Sequence, residues 1–480
     1  MIADLKPYPA MRDSGVPWLG DIPAHWELRR KKTVLRERVD KGHPNEPLLA
    51  ATQSKGVVRK EQYQNRTVLA LKDLHLLKLV RVGDFVISLR SFQGGIEYAH
   101  EQGIISPAYT ILYPVSADTF GYLARLFKSA PYIDNLSLFV TGIRQGQNID
   151  YEKLGRAELP LPPLPEQAAI VRFLDHYDRK IRRYIRAKRK LIKLLEEQEQ
   201  AIIHRAVTRG LDPNVRLKPS GVEWLGDIPA HWKQARLKDA AVVQTGVTLG
   251  KDYRDLATQS YPYLRVANVQ VGRVDLDQVK RIEVPPSEAA TTTLRAGDVL
   301  MTEGGDIDKL GRGCVWNDEI PGCLHQNHIF AVRCRQDVLF PEFLVGLMAS
   351  LHGRTYFQLT AKQTTNLAST NSATLRAFPI ILPPLAEQQA ILYKICNQTR
   401  GIEQTMDETS RAIDLLFEYR TRLIADVVTG KLDVREAAAR LPEDVEETDT
   451  LDGVGAEVPE DHAPEEMPEE EVEPEEETGW

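Results

Sequence analysis

Five side chains in the second half of the sequence have the residue types of a metal site. They are Cys314, Cys323, His325, His328 and Cys334. Structural zinc is bound by closely spaced pairs such as CxxC or H-x3–5-H, and the spacing here, C-x8-C-x-H-x2-H-x5-C, contains neither pair. We therefore expect packed cysteines beside polar loop histidines, and we predict no metal site.

A glycine-containing segment, TGVTLGKD (245–252), superficially resembles a phosphate-binding loop. Such a loop has four residues between its two glycines and a Ser or Thr after its lysine. Here three residues separate Gly246 from Gly250, and Asp252 follows Lys251. We therefore reject nucleotide binding by this segment.

Acidic residues that could serve a nuclease lie in one short stretch. Glu303, Asp306 and Asp308 are close to Lys309, but no acid-x-Lys strand accompanies them. The sequence also lacks the Asn/Asp-Pro-Pro-Phe/Tyr segment of an amino-methyltransferase and a glycine-rich cofactor loop after a strand. We predict no catalytic residue and no cofactor bound by this chain.

An internal repeat organises the sequence. SGVPWLGDIPAHW (14–26) returns as SGVEWLGDIPAHW (220–232), with 12 of 13 residues identical at an offset of 206. LPPLPEQAAI (161–170) returns as LPPLAEQQAI (382–391), with 8 of 10 identical at an offset of 221. The first motif holds Trp, Pro and Gly at fixed spacing without an acid, base and nucleophile set, which favours structural docking over catalysis. Two copies of one frame therefore flank two divergent inserts.

The segments that follow the second motif predict two long helices, 165–210 and 386–430. After Pro165, the first residue of the first segment, neither segment contains proline, and apolar residues recur every seven positions, as in a coiled coil. We expect the two helices to pack antiparallel along four rows: Ile170, Tyr177, Tyr184, Leu191, Gln198; Leu174, Ile181, Lys188, Leu195, Ile202; Ile391, Gln398, Thr405, Ala412, Tyr419; and Ile395, Ile402, Thr409, Leu416, Leu423.

The inserts are typical of a mixed α/β (α+β) fold with many short strands. Each has strands first and then a short helix before the frame returns. The predicted strands are Val82–Ile87, Tyr109–Tyr113, Ala296–Met301 and Ile329–Val332, and the predicted helices are Tyr122–Lys128 and Glu342–Ser350. The N-terminal segment has no helix before it and the second helix has no third copy after it, so residues 7–26 should pack against residues 423–436 in a cyclic, pseudo-two-fold body.

The net charge of −7 hides a basic body and an acidic tail. Residues 441–480 hold 18 acidic residues and no Lys or Arg, so the rest of the chain has 50 acidic against 61 basic residues, a net charge of +11. The tail has too few apolar residues to offset its ordering entropy and is expected to be disordered. A basic body admits an acidic partner such as nucleic acid.

Basic residues are concentrated on the first long helix between Asp178 and Glu196, among them Arg182, Arg183 and Arg186. A solvated helix face is the simpler interpretation, but the second helix has nothing comparable, so phosphate contact is the alternative. Four cysteines in 480 residues and the absence of a signal-peptide pattern or an 18-residue apolar run lead us to expect a cytoplasmic protein without a membrane span.

The order of WLGDIPAHW, variable insert, LPPLPEQAAI and long helix, present twice over residues 14–434, resembles the specificity subunit of type I restriction–modification enzymes. Within the inserts, SLRSFQGGIEY (88–98) and EGGDIDKLGRGCVW (303–316) resemble segments of two classes of target-recognition domain. The acidic tail is outside the family pattern.

This resemblance implies a subunit without a catalytic centre. Each insert would read one half of a split double-stranded DNA target, and the helices would set the gap. Two methyltransferase subunits would dock on the frame, and motor–nuclease subunits would complete the restricting enzyme. S-adenosylmethionine, ATP and magnesium would be bound by those partner subunits.

The domain boundaries expected on this basis are 1–160 (first target-recognition domain), 161–212 (first helix), 213–381 (second target-recognition domain), 382–434 (second helix) and 435–480 (disordered acidic tail). Side chains able to pair with base edges in glycine-rich or polar loops are the candidate readers. With the basic helix residues, the candidate DNA-binding set is Arg90, Gln93, Arg144, Gln145, Arg182, Arg183, Arg186, Arg312, Gln326, Asn327, Lys362 and Asn366.

Two alternatives from other functional classes stay open on the sequence alone. The chain could be a stand-alone DNA nuclease or methyltransferase with an unrecognised site. It could also be a coiled-coil assembly scaffold that reads no bases. Activity of the purified chain with magnesium or S-adenosylmethionine separates the first alternative from the DNA-recognition hypothesis, and comparison of specific with random duplex separates the second.

Overall fold

The computed structural model describes residues 5–53, 55–62, 73–89, 91–141, 148–254, 256–305, 307, 310–363 and 368–442. The chain divides into two compact units, unit 1 comprising residues 1–186 and 413–480, and unit 2 comprising residues 187–412. Both division points fall inside long helices. Among the described residues, no helix combines the length and the apolar character that crossing a membrane requires.

The first half of the chain runs through fourteen strands and six helices. They are β1 (Met11–Asp13), β2 (Asp21–Pro23), β3 (Glu27–Arg30), α1 (Lys31–Val34), β4 (Leu35–Glu37), β5 (Leu49–Thr52), β6 (Gly56–Arg59), β7 (Lys78–Val80), β8 (Phe85–Ile87), α2 (Ser91–Gly94), β9 (Glu97–Tyr98), β10 (Gly103–Ile105), β11 (Thr110–Pro114), α3 (Phe120–Leu126), α4 (Ala130–Leu136), β12 (Val140–Thr141), β13 (Asn148–Ile149), α5 (Tyr151–Arg156), β14 (Glu158–Leu161) and α6 (Leu164–Arg209). These counts cover the described part of the chain.

The second half repeats this plan. Its elements are β15 (Leu217–Pro219), β16 (Asp227–Pro229), β17 (Lys233–Arg236), α7 (Leu237–Ala240), β18 (Ala241–Thr245), β19 (Gln259–Leu264), β20 (Lys280–Val284), α8 (Pro286–Thr292), β21 (Asp298–Thr302), β22 (Gly304–Gly305), β23 (Gly313–Val315), β24 (Leu324–His325), β25 (Ile329–Cys334), α9 (Pro341–Ala349), α10 (Leu351–Thr360), β26 (Lys362–Gln363), β27 (Ala368–Ser369), α11 (Ser372–Ala377), β28 (Pro379–Leu382), α12 (Leu385–Val428) and α13 (Arg435–Ala439). All strands and helices predicted within the inserts are present, with their ends moved by up to three residues.

The two units share the same sheet topology. In unit 1, β1 pairs with β2, β3 pairs with β14, and four strands form a sheet in the order β4-β11-β8-β9. In unit 2, β15 pairs with β16, β17 pairs with β28, and the sheet order is β18-β25-β21-β23. The apolar strands β8 and β21 are therefore inner strands of equivalent sheets. The repeated frame positions two divergent inserts in the same way.

The two long helices are each continuous, with 46 residues in α6 and 44 in α12. Within unit 1 the start of α6 meets the end of α12, since Arg420 Nε donates to Asp178 Oδ1 at 2.5 Å. Within unit 2 the end of α6 meets the start of α12, because Ile203 and Ile395 join the same core cluster. This order is antiparallel, as predicted.

One of the two predicted rows on each helix is confirmed only at its ends, where Ile170, Tyr177, Ile391 and Tyr419 are buried or half-buried. The rows that start at Leu174 and Ile395 are buried or half-buried at each position, but Tyr184, Leu191 and Gln398 are exposed. The neighbouring residues occupy the seam instead, and they include Ile185, Ile192, Thr399 and Ile413. In a heptad the second apolar position lies three or four residues after the first. Apolar residues occur at both spacings here, so the sequence did not decide which row faces the partner helix. Asp178, which belongs to the observed row, is fixed by its pair with Arg420.

The predicted packing of the N-terminal segment against the end of the second helix is confirmed within unit 1. Lys6 and Asp433 form an antiparallel bridge, and the guanidinium of Arg435 lies 5.1 Å from the ring centroid of Tyr8. Tyr122 in α3 donates its hydroxyl toward the carbonyls of Pro160 (3.0 Å) and Val428 (2.9 Å). Motif, insert and helix end therefore share one core.

Folded structure extends past residue 435, where we placed the start of the tail. Helix α13 covers Arg435–Ala439, and Ala438 is only 2% exposed because it packs in the unit 1 core. The apolar residues of REAAARL were too few to signal a helix by periodicity. Residues 443–480 lie outside the described residues.

A buried carboxylate joins the two repeated motifs of unit 1. Glu166, in the first turn of α6, is 5% exposed and accepts hydrogen bonds from Tyr8 Oη (2.6 Å) and Trp26 Nε1 (2.7 Å). Its other oxygen lies 2.8 Å from Nε2 of His25. Burial, followed by the bond to Glu166, raises the pKa of Tyr8 above its usual value, so the phenol stays a donor. The aromatic motif and the LPPLPEQ motif recur together because they touch.

The second copy of this contact is weaker. Glu387, the equivalent of Glu166, lies 2.8 Å from Nε2 of His231 and is more exposed, at 26%. Trp232 Nε1 is buried without a hydrogen-bond partner among the described residues, and Asn214 stands at the position equivalent to Tyr8. The two copies share sequence but differ in how well the carboxylate is satisfied.

A buried lysine distinguishes the first copy from the second. Lys31 is 2% exposed, and Nζ has no hydrogen-bond partner within the described residues. It lies 4.7 Å from the ring centroid of Tyr132 and 5.4 Å from that of Phe139. Burial lowers the pKa of Lys31 to about 7. At the equivalent position of the second copy stands Leu237, which is fully buried.

We predict that Glu166→Gln lowers the free energy of unfolding by about 1.5–3 kcal/mol, because a neutral amide oxygen replaces the charged acceptor and an NH2 group replaces the oxygen that faces His25. Glu387→Gln is the matched control and should cost less than about 1 kcal/mol, since that carboxylate is partly exposed. Urea unfolding of both variants measures the difference. Equal losses would contradict the role assigned to Glu166.

Lys31→Leu should stabilise unit 1 by about 1–3 kcal/mol at pH 7, because it removes a buried amine without a hydrogen-bond partner. The folded pKa is lowered, so the cost of the charged lysine is fully present below about pH 7 and disappears as pH rises toward the unfolded value of 10.5. The gain should therefore shrink between pH 7 and pH 10. Urea unfolding at both pH values checks this, and a gain independent of pH would refute it.

Candidate nucleic-acid interface

Three predicted readers of the second insert lie at one end of its sheet, beyond the carboxyl end of β21. Since β21 is antiparallel to both neighbours, Thr302 pairs with Ile329 and Met301 pairs with Gly313. This places the start of β25, with Gln326 and Asn327 before it, beside the residues that follow β21. Arg312 precedes β23 at the same end.

The loop that carries Gln326 and Asn327 has a fixed backbone. Gln326 N–H donates to the carbonyl of Leu264 and Asn327 N–H to that of Val247, both at 2.9 Å. The two side chains are half-buried and make no hydrogen bond to a described residue. A rigid backbone with uncommitted amide side chains is suited to bidentate recognition of an external donor–acceptor pair.

Lys362 lies at the same end of the sheet, because its strand is linked by backbone pairing to the segment that holds Glu303. The Glu303 N–H donates to the carbonyl of His328, and its own carbonyl accepts from Thr370 N–H, both at 2.8 Å. Lys362 pairs with Ser369 in the small sheet β22-β27-β26, and its side chain is exposed. Gln326, Asn327, Arg312 and Lys362 are therefore brought to one edge, although they are distant in sequence.

A histidine–carboxylate pair at this end of the sheet was not predicted from the sequence. His328 Nδ1 lies 2.6 Å from Glu303 Oε2. We had considered Glu303 as a nuclease carboxylate and His328 as a metal ligand, and the structure pairs them with each other. Asp306, Asp308 and Lys309 lie outside the described residues.

In the first insert, Gln93 is the candidate reader that the structure describes, and it lies at the corresponding end of the sheet, beyond β8. Gln93 lies in the short helix α2, which follows β8 as Glu303 follows β21, and its exposed side chain accepts from Gln53 Nε2 at 3.5 Å. Lys128 fixes this segment by donating to the carbonyls of Gly94 (2.8 Å) and Gln53 (3.1 Å) and to Glu97. Burial raises the pKa of Glu97 to about 7.

Four further candidates, Arg90, Arg144, Gln145 and Asn366, lie outside the described residues. On α6, Arg182 is 60% exposed and pairs with Asp178 at 2.9 Å, four residues earlier. Arg183 and Arg186 are exposed, and each takes part in an interaction within the fold. The helix candidates thus form a charged face, and their contact with phosphate stays a prediction.

The cysteines and histidines of the second insert do not converge. Within the described ranges, no group of three or more His, Cys, Asp or Glu side chains is arranged to hold a metal ion. Burial raises the pKa of Cys314, Cys323 and Cys334 to about 12, so these thiols stay protonated. His325 is fully buried, and its Nδ1 lies 3.0 Å from the carbonyl of Ile329. These side chains are part of the core.

Comparisons with known proteins give one consistent result. No protein-family model matches the chain. The putative type I restriction enzyme MjaX specificity subunit of Methanocaldococcus jannaschii is 26% identical over 169 residues, which are 35% of this chain and 39% of that protein. The type I restriction enzyme EcoKI specificity subunit of Escherichia coli is 23% identical over 325 residues, which are 67% of this chain and 68% of that protein.

Among solved structures, a chain from a structure of the type I R-M system, described for its complex assembly and conformational transition, aligns with a TM-score of 0.59 at 16% identity. The alignment covers 86% of this chain and 99% of that one. At this identity the likeness concerns the fold. Sequence relatives and fold agree with the resemblance carried by the repeated motifs: the chain is similar in sequence to type I restriction specificity subunits and shares the fold of a chain from a type I R-M system.

Proposed function

We propose that the chain is the sequence-specific DNA-recognition subunit of a type I restriction–modification complex, in which each insert reads one half of a split target. The observation that carries this proposal is the pairing of one duplicated frame with two divergent inserts. Equivalent sheets carry polar side chains at the same end, Gln93 beyond β8 and Gln326, Asn327 and Lys362 beyond β21. A common frame then delivers two different sequence readers.

Base recognition follows from the donor and acceptor pattern of these side chains. A Gln or Asn amide can donate and accept in one plane and so pair with adenine in the major groove, whereas Arg and Lys match the two acceptors of guanine. The fixed backbone before β25 lowers the entropy lost when Gln326 and Asn327 bind. About half of the named side chains are expected to contact phosphate instead.

The remaining basic charge supplies affinity without sequence preference. Each phosphate neutralised by Lys or Arg releases counterions, so binding should weaken steeply with salt. Arg182, Arg183 and Arg186 on α6 belong to this class in our proposal. The helices themselves would set the number of unread base pairs between the half-sites.

The partners in this proposal are two methyltransferase subunits and the motor–nuclease subunits, which would bind S-adenosylmethionine, ATP and magnesium. Chemistry then resides outside this chain, in the cytoplasm. A surface suited to a protein partner lies in unit 1, where a cavity of about 870 Å³ is lined by Val16, Pro17 and Trp18 of the first motif together with Leu138 and Phe139. Leu138 is 77% exposed.

Both alternatives stay distinguishable by experiment. A stand-alone nuclease or methyltransferase would turn over DNA when the purified chain is given magnesium or S-adenosylmethionine. A scaffold that reads no bases would bind specific and random duplex equally at the same salt concentration. Neither alternative is favoured by a described side-chain arrangement.

We predict that Gln326→Ala or Asn327→Ala weakens binding to the specific duplex by ~1–3 kcal/mol and relaxes one position of one half-site. Gln336→Ala is the matched control, because that exposed residue follows the opposite end of β25. Competition binding against a panel of single-base-changed duplexes measures the effect. If the variants weakened random and specific duplex alike, the assignment to base readout would be wrong.

Four residues inserted after Glu197 should lengthen α6 by roughly 6 Å, which is close to two base pairs at ~3.4 Å each. We expect the unread gap to lengthen at reduced affinity while both half-sites persist. Genome-wide mapping of methylated adenine in a host that carries the chain and its partners gives the gap directly. The same insertion within residues 443–480 is the control and should leave the gap unchanged. An altered half-site with an unaltered gap would contradict the role of the helices.

A further inference from the structure

Unit 1 presents a row of arginines on one face of α6. Arg172, Arg179, Arg183 and Arg186 are all exposed, and their spacings of seven, four and three residues place them on one side of a helix with 3.6 residues per turn. Arg179, Arg183 and Arg186 each take part in an interaction within the fold. A guanidinium has five N–H donors, so an existing contact leaves donors for a further carboxylate or phosphate.

The acids nearest to this face are already paired. Asp175 pairs with Arg125, and Asp178 pairs with Arg420 and Arg182. Each of these two carboxylates therefore has at least one arginine partner outside the row. The row itself is a positively charged strip that fits an acidic polymer.

The chain leaves the described fold on this same face. Arg172, the first arginine of the row, donates through one terminal nitrogen to the carbonyls of Leu441 (2.8 Å) and Pro442 (3.2 Å). The described part of the chain therefore ends beside Arg172. The side chains of Leu441 and Pro442 are not needed for this contact, because only backbone carbonyls accept.

The chain that follows has the opposite charge. Residues 443–480 hold 18 acidic residues and no Lys or Arg, and nine glutamates fall between positions 465 and 477. Arg186 lies fourteen residues, or ~21 Å, along the helix from Arg172. A 38-residue segment of flexible-chain dimensions has an end-to-end distance of roughly 30–35 Å, so it reaches the whole row.

We propose that the acidic segment 443–480 binds the Arg172–Arg186 face of α6 within the same chain and competes there with DNA phosphate. The competition with DNA rests on the proposed function, whereas the binding of the segment to the helix does not. A tethered competitor acts at an effective concentration of about millimolar. It therefore raises the apparent Kd of random and target duplex by the same factor when both need this face. Because non-specific complexes start at a Kd of ~10⁻⁴–10⁻⁶ M, that factor leaves random DNA largely unoccupied while the tight target complex still forms.

The first experiment neutralises the segment without shortening the chain. The variant changes the nine glutamates at 465, 466, 469, 470, 471, 473, 475, 476 and 477 to Gln. Affinity for random duplex at ~50 mM salt should rise about tenfold and the gain should vanish near ~0.5 M salt, because the attraction is screened. Affinity for the target should rise by a similar factor, since both duplexes compete with the same segment. An unchanged affinity for random duplex at low salt would overturn the competition.

The second experiment needs no DNA. A fluorescent peptide of residues 443–480 is titrated into the full chain carrying the Gln-substituted tail, and anisotropy reports binding at low and high salt. Binding should be salt-sensitive and should be abolished when Arg179, Arg183 and Arg186 are changed to Gln. The matched control changes three exposed arginines elsewhere, Arg216, Arg273 and Arg295, and should retain binding.

The two measurements separate the two proposals. Peptide binding that depends on the three α6 arginines, in a chain that binds no duplex, would support the intramolecular contact and contradict DNA recognition. Absence of peptide binding, or equal loss in the two triple variants, would overturn the contact itself. In the background of the α6 triple variant, the Gln-substituted tail should give no further gain in affinity for random duplex.

Discussion

The fold depends on the contact between a buried carboxylate and the aromatic motif. Glu166 opens α6, and Trp26 and His25 close the first motif, so their hydrogen bonds fix the helix start against the β1–β2 and β3–β14 pairs. A buried charge without partners would be costly, which makes the contact specific as well as stabilising. Tyr8 donates to Glu166 and its ring also contacts Arg435, so the N-terminal segment joins the start of α6 to α13, which follows the second long helix.

Much of this architecture could be predicted from the sequence because the frame is duplicated. WLGDIPAHW occurs twice and LPPL-EQ occurs twice, and this repetition indicated which elements must meet. Segments without internal proline indicated the two long helices. The sequence did not show which second row on α6 faces α12, since Tyr184 and Ile185 are both apolar and lie three and four residues after Ile181. In the structure Ile185 faces the partner helix, and the Asp178–Arg420 pair lies in the same row. The burial of Lys31 was equally invisible, because nothing in KKTV distinguishes a buried lysine from the exposed one beside it.

The candidate interface was predicted less completely than the frame. Polar side chains in loops signal readers, but their convergence depends on strand register, and the pairing of Thr302 with Ile329 is not encoded in any local pattern. Register also explains why Glu303 and His328 escaped detection as a pair, since 25 residues separate them. Lys128 was missed for a similar reason: its three acceptors, Gln53, Gly94 and Glu97, precede it by 31 to 75 residues and belong to different elements.

The two copies have diverged in ways that follow from their neighbours. In the first copy, the N-terminal segment supplies Tyr8 to complete the environment of Glu166, and the described part of the chain ends at Pro442, whose carbonyl accepts from Arg172 of α6. In the second copy, the equivalent position holds Asn214, Trp232 Nε1 has no partner among the described residues, and Glu387 is partly exposed. The basic row is also confined to α6, with no counterpart on α12. The duplicated frame therefore has the same strand pairing in both copies, whereas the charged face is present on α6 and not on α12, so the two helices differ in electrostatics.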